Sequence, residues 1–364
     1  MKILLVGRGD RFSAQIIDRH VKEGHEVSIV SQQNFTALNK PKLKYSWYDH
    51  PADSMNLDRV FTNLKPQQVI FTGRLFGDED WVYGPETTHY LGDVLNALNL
   101  SVKHRVDKFI FCSSTEVYRP NPEVVIKEDS ARHPSSYKGV LLAQAEGLVE
   151  EFHDRYALTT LILRFGDVYG YHPAEHCADF FSQLVNQISQ LNEVVLNVNK
   201  VVYPVHVNDA VDAVFRCNGN TPSSVYNVAG SRAVEVMSVA EALKERLGVN
   251  PTLIAEKGSK QALPVDVKRI KSEMEWSEFH TLEETIQALT LDQPTTPADR
   301  VEAKATRTPS NPVLLHLIEN VVFFIAVVTL TELFKNHSVL KNVDLMTIYI
   351  ISIALFFGIR QSIW

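Results

Sequence analysis

Residues 1–30, MKILLVGRGDRFSAQIIDRHVKEGHEVSIV, restrict the fold more than any other stretch of the chain. Ile3 to Val6 is a short apolar run that stops at Gly7-Arg8-Gly9. Phe12, Ile16, Ile17 and Val21 then recur at helical spacing until Gly24, and a second apolar strand ends at Val30. Strand, glycine turn, helix and strand in that order open a parallel βαβ unit, and they predict an open α/β sheet with helices on both faces. A glycine turn at the carboxyl end of a first strand also lets a phosphate approach the free N–H groups of the next helix. Two residues spoil that turn here. Asp10 and Ser13 stand where further glycines suit a phosphate turn, and a carboxylate at the start of the helix repels a phosphate.

The same alternation continues downstream. A third strand is expected within residues 43–49, a helix over Leu57 to Leu64, and a buried strand over Gln68 to Thr72 that ends in Gly73. A long helix from Thr88 to His104 leads to a strand at Lys108 to Cys112, with Ser113, Ser114 and Thr115 at its carboxyl end, where open α/β sheets bind ligands. Tyr137 to Tyr156 carries an apolar stripe of Leu141, Leu142, Ala145, Leu148, Val149 and Phe152, and Leu158 to Leu163 reads as the next strand. The segment RFGDVYG, Arg164 to Gly170, reads as a loop. A helix is expected from Ala210 with Asp209 as its cap, and helices over Cys177 to Leu191, Ser238 to Leu247 and Leu282 to Leu291 supply a smaller second lobe. It draws mainly on residues 171–200 and 230–290.

A net charge of −7 offers no basic field for nucleic acid. Cys112, Cys177 and Cys217 are too scattered for a disulfide framework, and no His, Cys, Asp or Glu spacing suggests a metal site. The tail differs in kind. Residues 291–312 are rich in Pro, Thr and charge and read as a linker, after which 313–334 and 343–360 are apolar enough to form two membrane-spanning helices. Arg300, Lys304 and Arg307 precede the first of them, and positive flanks stay in the cytoplasm. The expectation is a multi-pass cell-membrane protein whose 1–290 domain and both termini face the cytoplasm, with the lipid bilayer as one partner.

Several stations within residues 1–290 resemble the extended short-chain dehydrogenase/reductase family, in particular its NAD-dependent epimerase/dehydratase group acting on nucleotide sugars. Phe111 to Tyr118, FCSSTEVY, looks like the segment whose serine or threonine holds a substrate hydroxyl. LRFGDVYG at Leu163 to Gly170 is similar to the family's LRxxNVYG, His206-Val207-Asn208-Asp209 to its HVxD, and Val225 to Val228 to its YNV. The resemblance implies a Rossmann-like doubly wound parallel sheet with a smaller C-terminal substrate lobe. It also implies a nicotinamide dinucleotide, held around Gly7, Gly9, Arg11, Phe12, Asp49, Gly73 and Arg74, with Asp49 toward the adenine amine and Arg74 either facing a phosphate or solvated. The second strand ends in Ser31-Gln32-Gln33 without the acidic ribose clamp, so NAD and NADP both stay open.

The resemblance assigns catalysis to Ser114 and Tyr137. It also implies a lysine four residues after the tyrosine, and Leu141 stands there instead. Lys138 lies a quarter-turn away on a helix and does not take an i+4 place; Arg164 is the other cation considered. Two functions therefore remain open. One is transient hydride transfer on a nucleotide sugar by a membrane-anchored NAD(P)-binding protein. The other is a catalytically inactive module that senses a nucleotide or supports a membrane complex, as a homodimer or with a membrane-protein partner.

Overall fold

The computed structural model describes residues 1–31, 35, 41–49, 52, 54–73, 85–170, 179–219, 221–258 and 262–289. Met1–Thr290 forms one unit. Its centre is a seven-stranded sheet built from β1 (Lys2–Gly7), β2 (Glu26–Val30), β3 (Ser46–Tyr48), β4 (Gln68–Gly73), β5 (Lys108–Ser114), β6 (Thr160–Phe165) and β11 (Ser224–Val228), in the order β11-β6-β5-β4-β1-β2-β3. Every pairing in it is parallel. The strand order runs outward in one direction from β1 to β3 and in the other from β4 to β11. The switch point, where such sheets hold ligands, therefore lies at the carboxyl ends of β1 and β4.

Burial follows from the layers. Helix α1 (Arg11–Lys22) packs beside α6 (Val207–Arg216), while α2 (Ser54–Leu64), α3 (Pro85–Lys103) and α4 (Tyr137–Tyr156) pack side by side. A sheet covered on both faces needs strands without an outward polar row, and β4, β5 and β6 are buried at every position. The second lobe has its own apolar cluster. It joins α5 (Phe180–Gln190), the parallel pair β8 (Glu193–Asn197) and β13 (Thr252–Glu256), α7 (Val236–Leu247) and α9 (Leu282–Ala288) through Phe181, Leu184, Val194, Leu243 and Ile286.

Two local expectations are corrected. Arg164 to Gly170 is not a loop: β6 runs on through Phe165, and β7 (Asp167–Tyr169) pairs in parallel with β10 (Pro204–His206). The glycine that suggested a loop serves close packing, because a Cβ on Gly166 would lie 2.8 Å from that of Ala229. Helix α6 starts at Val207 rather than Ala210, and His206 is its cap, with Nδ1 accepting from the N–H of Asn208 at 3.2 Å. Two short strands, β9 (Val201–Val202) and β12 (Val234–Glu235), pair antiparallel, and α8 (Lys268–Glu273) packs on β11. The linker 291–312 and the apolar segments 313–334 and 343–360 lie outside the described residues. Among the described residues no helix is long and apolar enough to cross a membrane.

Candidate active site

The glycine turn sits at the switch point. A side chain on Gly7 would strike Thr72 Oγ1 at 2.0 Å, so this glycine lets β1 and β4 close up where their register shifts between Val6 and Gly7. Gly9 is buried. Ser13 is fully buried and reaches Thr72 with a 3.4 Å hydroxyl contact, so it keeps α1 close to the sheet in the place of a glycine. Asp10 is the N-cap of α1: its carboxylate accepts the Ser13 N–H at 2.8 Å. Burial pushes that carboxyl above the usual range, against the lowering effect of Ser13 and Arg8. Phe12 is buried edge-on against Phe165, and Arg11 is partly buried. Gly73 has a positive φ of 53°, and a Cβ there would meet the rings of Phe71 and Tyr90 at 2.9 Å. Asp49 is exposed after β3, and Arg74 lies outside the described residues.

Two strands away, Ser114 ends β5 and caps the short helix Thr115–Val117 by accepting the Glu116 N–H at 3.2 Å. Tyr137 begins α4 with 48% of its surface exposed, and Leu141 one turn on is buried. Lys138, next on α4, turns to Glu116 instead: its Nζ lies 2.8 Å from Glu116 Oε1. Ser136 caps α4, accepting from Gly139 N, and donates its hydroxyl to Glu116 Oε2 at 2.8 Å. Burial pushes the Glu116 carboxyl up, but Lys138 and Ser136 outweigh it and hold it below the usual range. Asp167 keeps solvent contact, yet crowding by the surrounding protein raises its carboxyl; Lys200, Glu116 and Lys138 all act on it. This edge carries a buried hydroxyl at Ser114, a half-exposed phenol at Tyr137 and a carboxylate–ammonium pair.

A buried ion network holds this edge from beneath. Arg164 is not a spare cation for Tyr137: its guanidinium grips Glu146 through Nε at 3.0 Å and Nη2 at 2.7 Å, and both side chains are inaccessible. The remaining nitrogen donates to the Glu128 carbonyl at 2.9 Å and to the Tyr118 hydroxyl. Glu146 also accepts from Ser113, next to Ser114, and from Arg132. Tyr118 in turn donates to Asn227 of β11 at 3.0 Å.

Comparison with known proteins agrees with this geometry. The model of the NAD dependent epimerase/dehydratase family matches residues 9–229. The chain belongs to that family. It is 25% identical over 292 residues to protein CapI of Staphylococcus aureus, spanning 68% of this chain and 84% of that one. It is 28% identical over 214 residues to dTDP-D-glucose 4,6-dehydratase of Bos taurus, spanning 57% and 59%. Its fold is that of the Thermotoga maritima UDP-glucose 4-epimerase solved with UDP-glucose (TM-score 0.70, 23% identity, 79% of this chain and 96% of that one). The Thermus thermophilus UDP-glucose 4-epimerase solved with NAD gives a TM-score of 0.66 at 21% identity, covering 79% and 97%.

The family is NAD-dependent, which agrees with the expected nicotinamide cofactor. The turn of this epimerase/dehydratase-family chain fits a dinucleotide in its close β1–β4–α1 packing. One part of the seat is taken from within, because the Asp10 carboxylate holds an N–H that a pyrophosphate would use. Sequence reasoning set Lys138 aside as a replacement for the missing lysine and passed over Glu116, with which it pairs beside Tyr137. The signal that could have found them is Gly139: a Cβ there would lie 2.3 Å from the Glu116 carbonyl oxygen, so this small residue brings the start of α4 against residue 116. Among the described residues no cluster suited to a metal ion occurs.

Proposed function

We propose that this chain is a membrane-anchored NAD(P)-binding epimerase/dehydratase-like protein that acts on a nucleotide sugar at the carboxyl edge of its sheet. The observation that carries the reading is the convergence there of Ser114, Tyr137 and the Glu116–Lys138 pair, on the same edge as the glycine turn. The nicotinamide, when bound, would exchange a hydride with the sugar. Ser114 holds the substrate oxygen, and Tyr137 passes the hydroxyl proton. Residues 313–334 and 343–360 anchor the 1–290 domain to a membrane on its cytoplasmic side. The test is nicotinamide absorbance with a panel of nucleotide sugars. Turnover that falls sharply in Tyr137→Phe supports the reading; no change with any sugar refutes it.

Leu141 favours a second reading. A buried leucine cannot lower the pKa of a phenol, so a site that binds nucleotide without turnover is the alternative. It predicts that nucleotide sugars raise the unfolding temperature equally in the natural chain and in Tyr137→Phe.

A further inference from the structure

We propose that Asp10 is a tethered competitor for the dinucleotide's pyrophosphate, so that cofactor binding takes up a proton at the Asp10 carboxylate. The inference rests on the dinucleotide-binding part of the reading above and deepens it. The first N–H groups of a helix are its anion seat. Here one of those N–H groups already has an anion, since Asp10 Oδ1 accepts Ser13 N–H at 2.8 Å; the Ala14 N–H, 2.9 Å from the Asp10 carbonyl, closes the first turn of the helix. The side chain is only partly exposed and is boxed in by α1 packed on Thr72. A pyrophosphate on those N–H groups would meet the carboxylate at contact range, and like charges at that range exclude each other. A protonated carboxyl removes the charge and frees the seat.

The charged and titratable groups around Asp10 leave it as the group that switches. Arg8 acts on it from the turn, Arg11 follows it on α1, and Cys112 faces it from β5. Cys112 is held protonated by burial and stays neutral throughout. His206 of β10, which feels Arg11, has its pKa lowered to about 4 by burial, His280 and that arginine. Burial raises the Asp10 carboxyl, so it takes up a proton more readily than a solvated aspartate does.

Asp10→Asn is the test, since asparagine caps a helix as well as aspartate and carries no charge. NAD and NADP affinities of the detergent-purified full chain are measured by calorimetry at about pH 5.5 and about pH 8, with thermal unfolding as the check on folding. The expected result is binding by Asp10→Asn that is roughly 30- to 100-fold tighter than the natural chain at the higher pH. The natural chain should tighten as pH falls, and the variant should not. Equal affinities, or a natural chain indifferent to pH, overturn the proposal while leaving dinucleotide binding intact. A folded variant that binds neither dinucleotide overturns both the proposal and the dinucleotide reading on which it rests.

Discussion

Replacing Glu146 by glutamine should cost this protein more stability than any other single loss of charge at the site. Glu146 is 0% and Arg164 3% exposed, and the carboxylate accepts from Arg164, Arg132 and Ser113. Glutamine preserves the shape but leaves a guanidinium buried without its counter-charge. Removing one partner of a buried pair costs about 3–5 kcal/mol, a third or more of the ~5–15 kcal/mol typical of a whole domain. Glu150→Gln is the control: its carboxylate is 41% exposed and pairs with the same Arg132, so it should cost at most about 1 kcal/mol. Denaturant unfolding of the full chain, followed by the fluorescence of buried Trp276 among others, gives both values. Glu146→Met combined with Arg164→Met should lie closer to the natural chain than either single variant, because no charge is then stranded. A cost below about 1 kcal/mol for Glu146→Gln, or a double variant whose loss is the sum of the singles, would refute the reasoning.

Other expectations follow from single contacts. His206 caps α6 through an unprotonated Nδ1, and burial, His280 and Arg11 lower its pKa from 6.5 to about 4. The unfolded chain therefore takes the proton first, so this stabilisation is complete above pH 6.5 and is lost as pH falls toward 4. His206→Asn should remove about 1–3 kcal/mol of that acid sensitivity in unfolding measured across the window. Gly139→Ala should destabilise by about 1–3 kcal/mol and part Lys138 from Glu116, since backbone blocks the new methyl; hydrogen exchange at 114–118 and 137–141 would rise together. Deleting 313–364 should release the chain from membranes in flotation without changing the unfolding of the remaining domain, and retained membrane binding would remove the anchor from the proposal.

The sheet was legible because its signals are local and redundant. Ile3 to Val6, Val69 to Phe71 and Phe109 to Cys112 are apolar runs of the kind a doubly covered parallel sheet buries. Strand ends and caps were less legible. Arg164 looked like a polar break, but its partner Glu146 lies on another element, and spacing along the chain gives no hint of such a pairing. Asp209 looked like a cap; instead its carboxylate accepts from Phe279 N, His280 N and the His280 ring, tying the second lobe to α6. Leu141, which stands where the resemblance implies a lysine, is buried in α4. The Lys138–Glu116 pair could not be seen, because Lys138 gains its partner only when the 115–117 turn meets the start of α4.

The most direct test of the central claim is native mass spectrometry of the detergent-purified full chain incubated with NAD, NADP and UDP- or dTDP-linked sugars. The expected result is a chain carrying one dinucleotide and one nucleotide sugar together, with the dinucleotide signal stronger in mildly acidic solution. A bare chain mass with all of these ligands in excess, from protein that unfolds cooperatively, would contradict it.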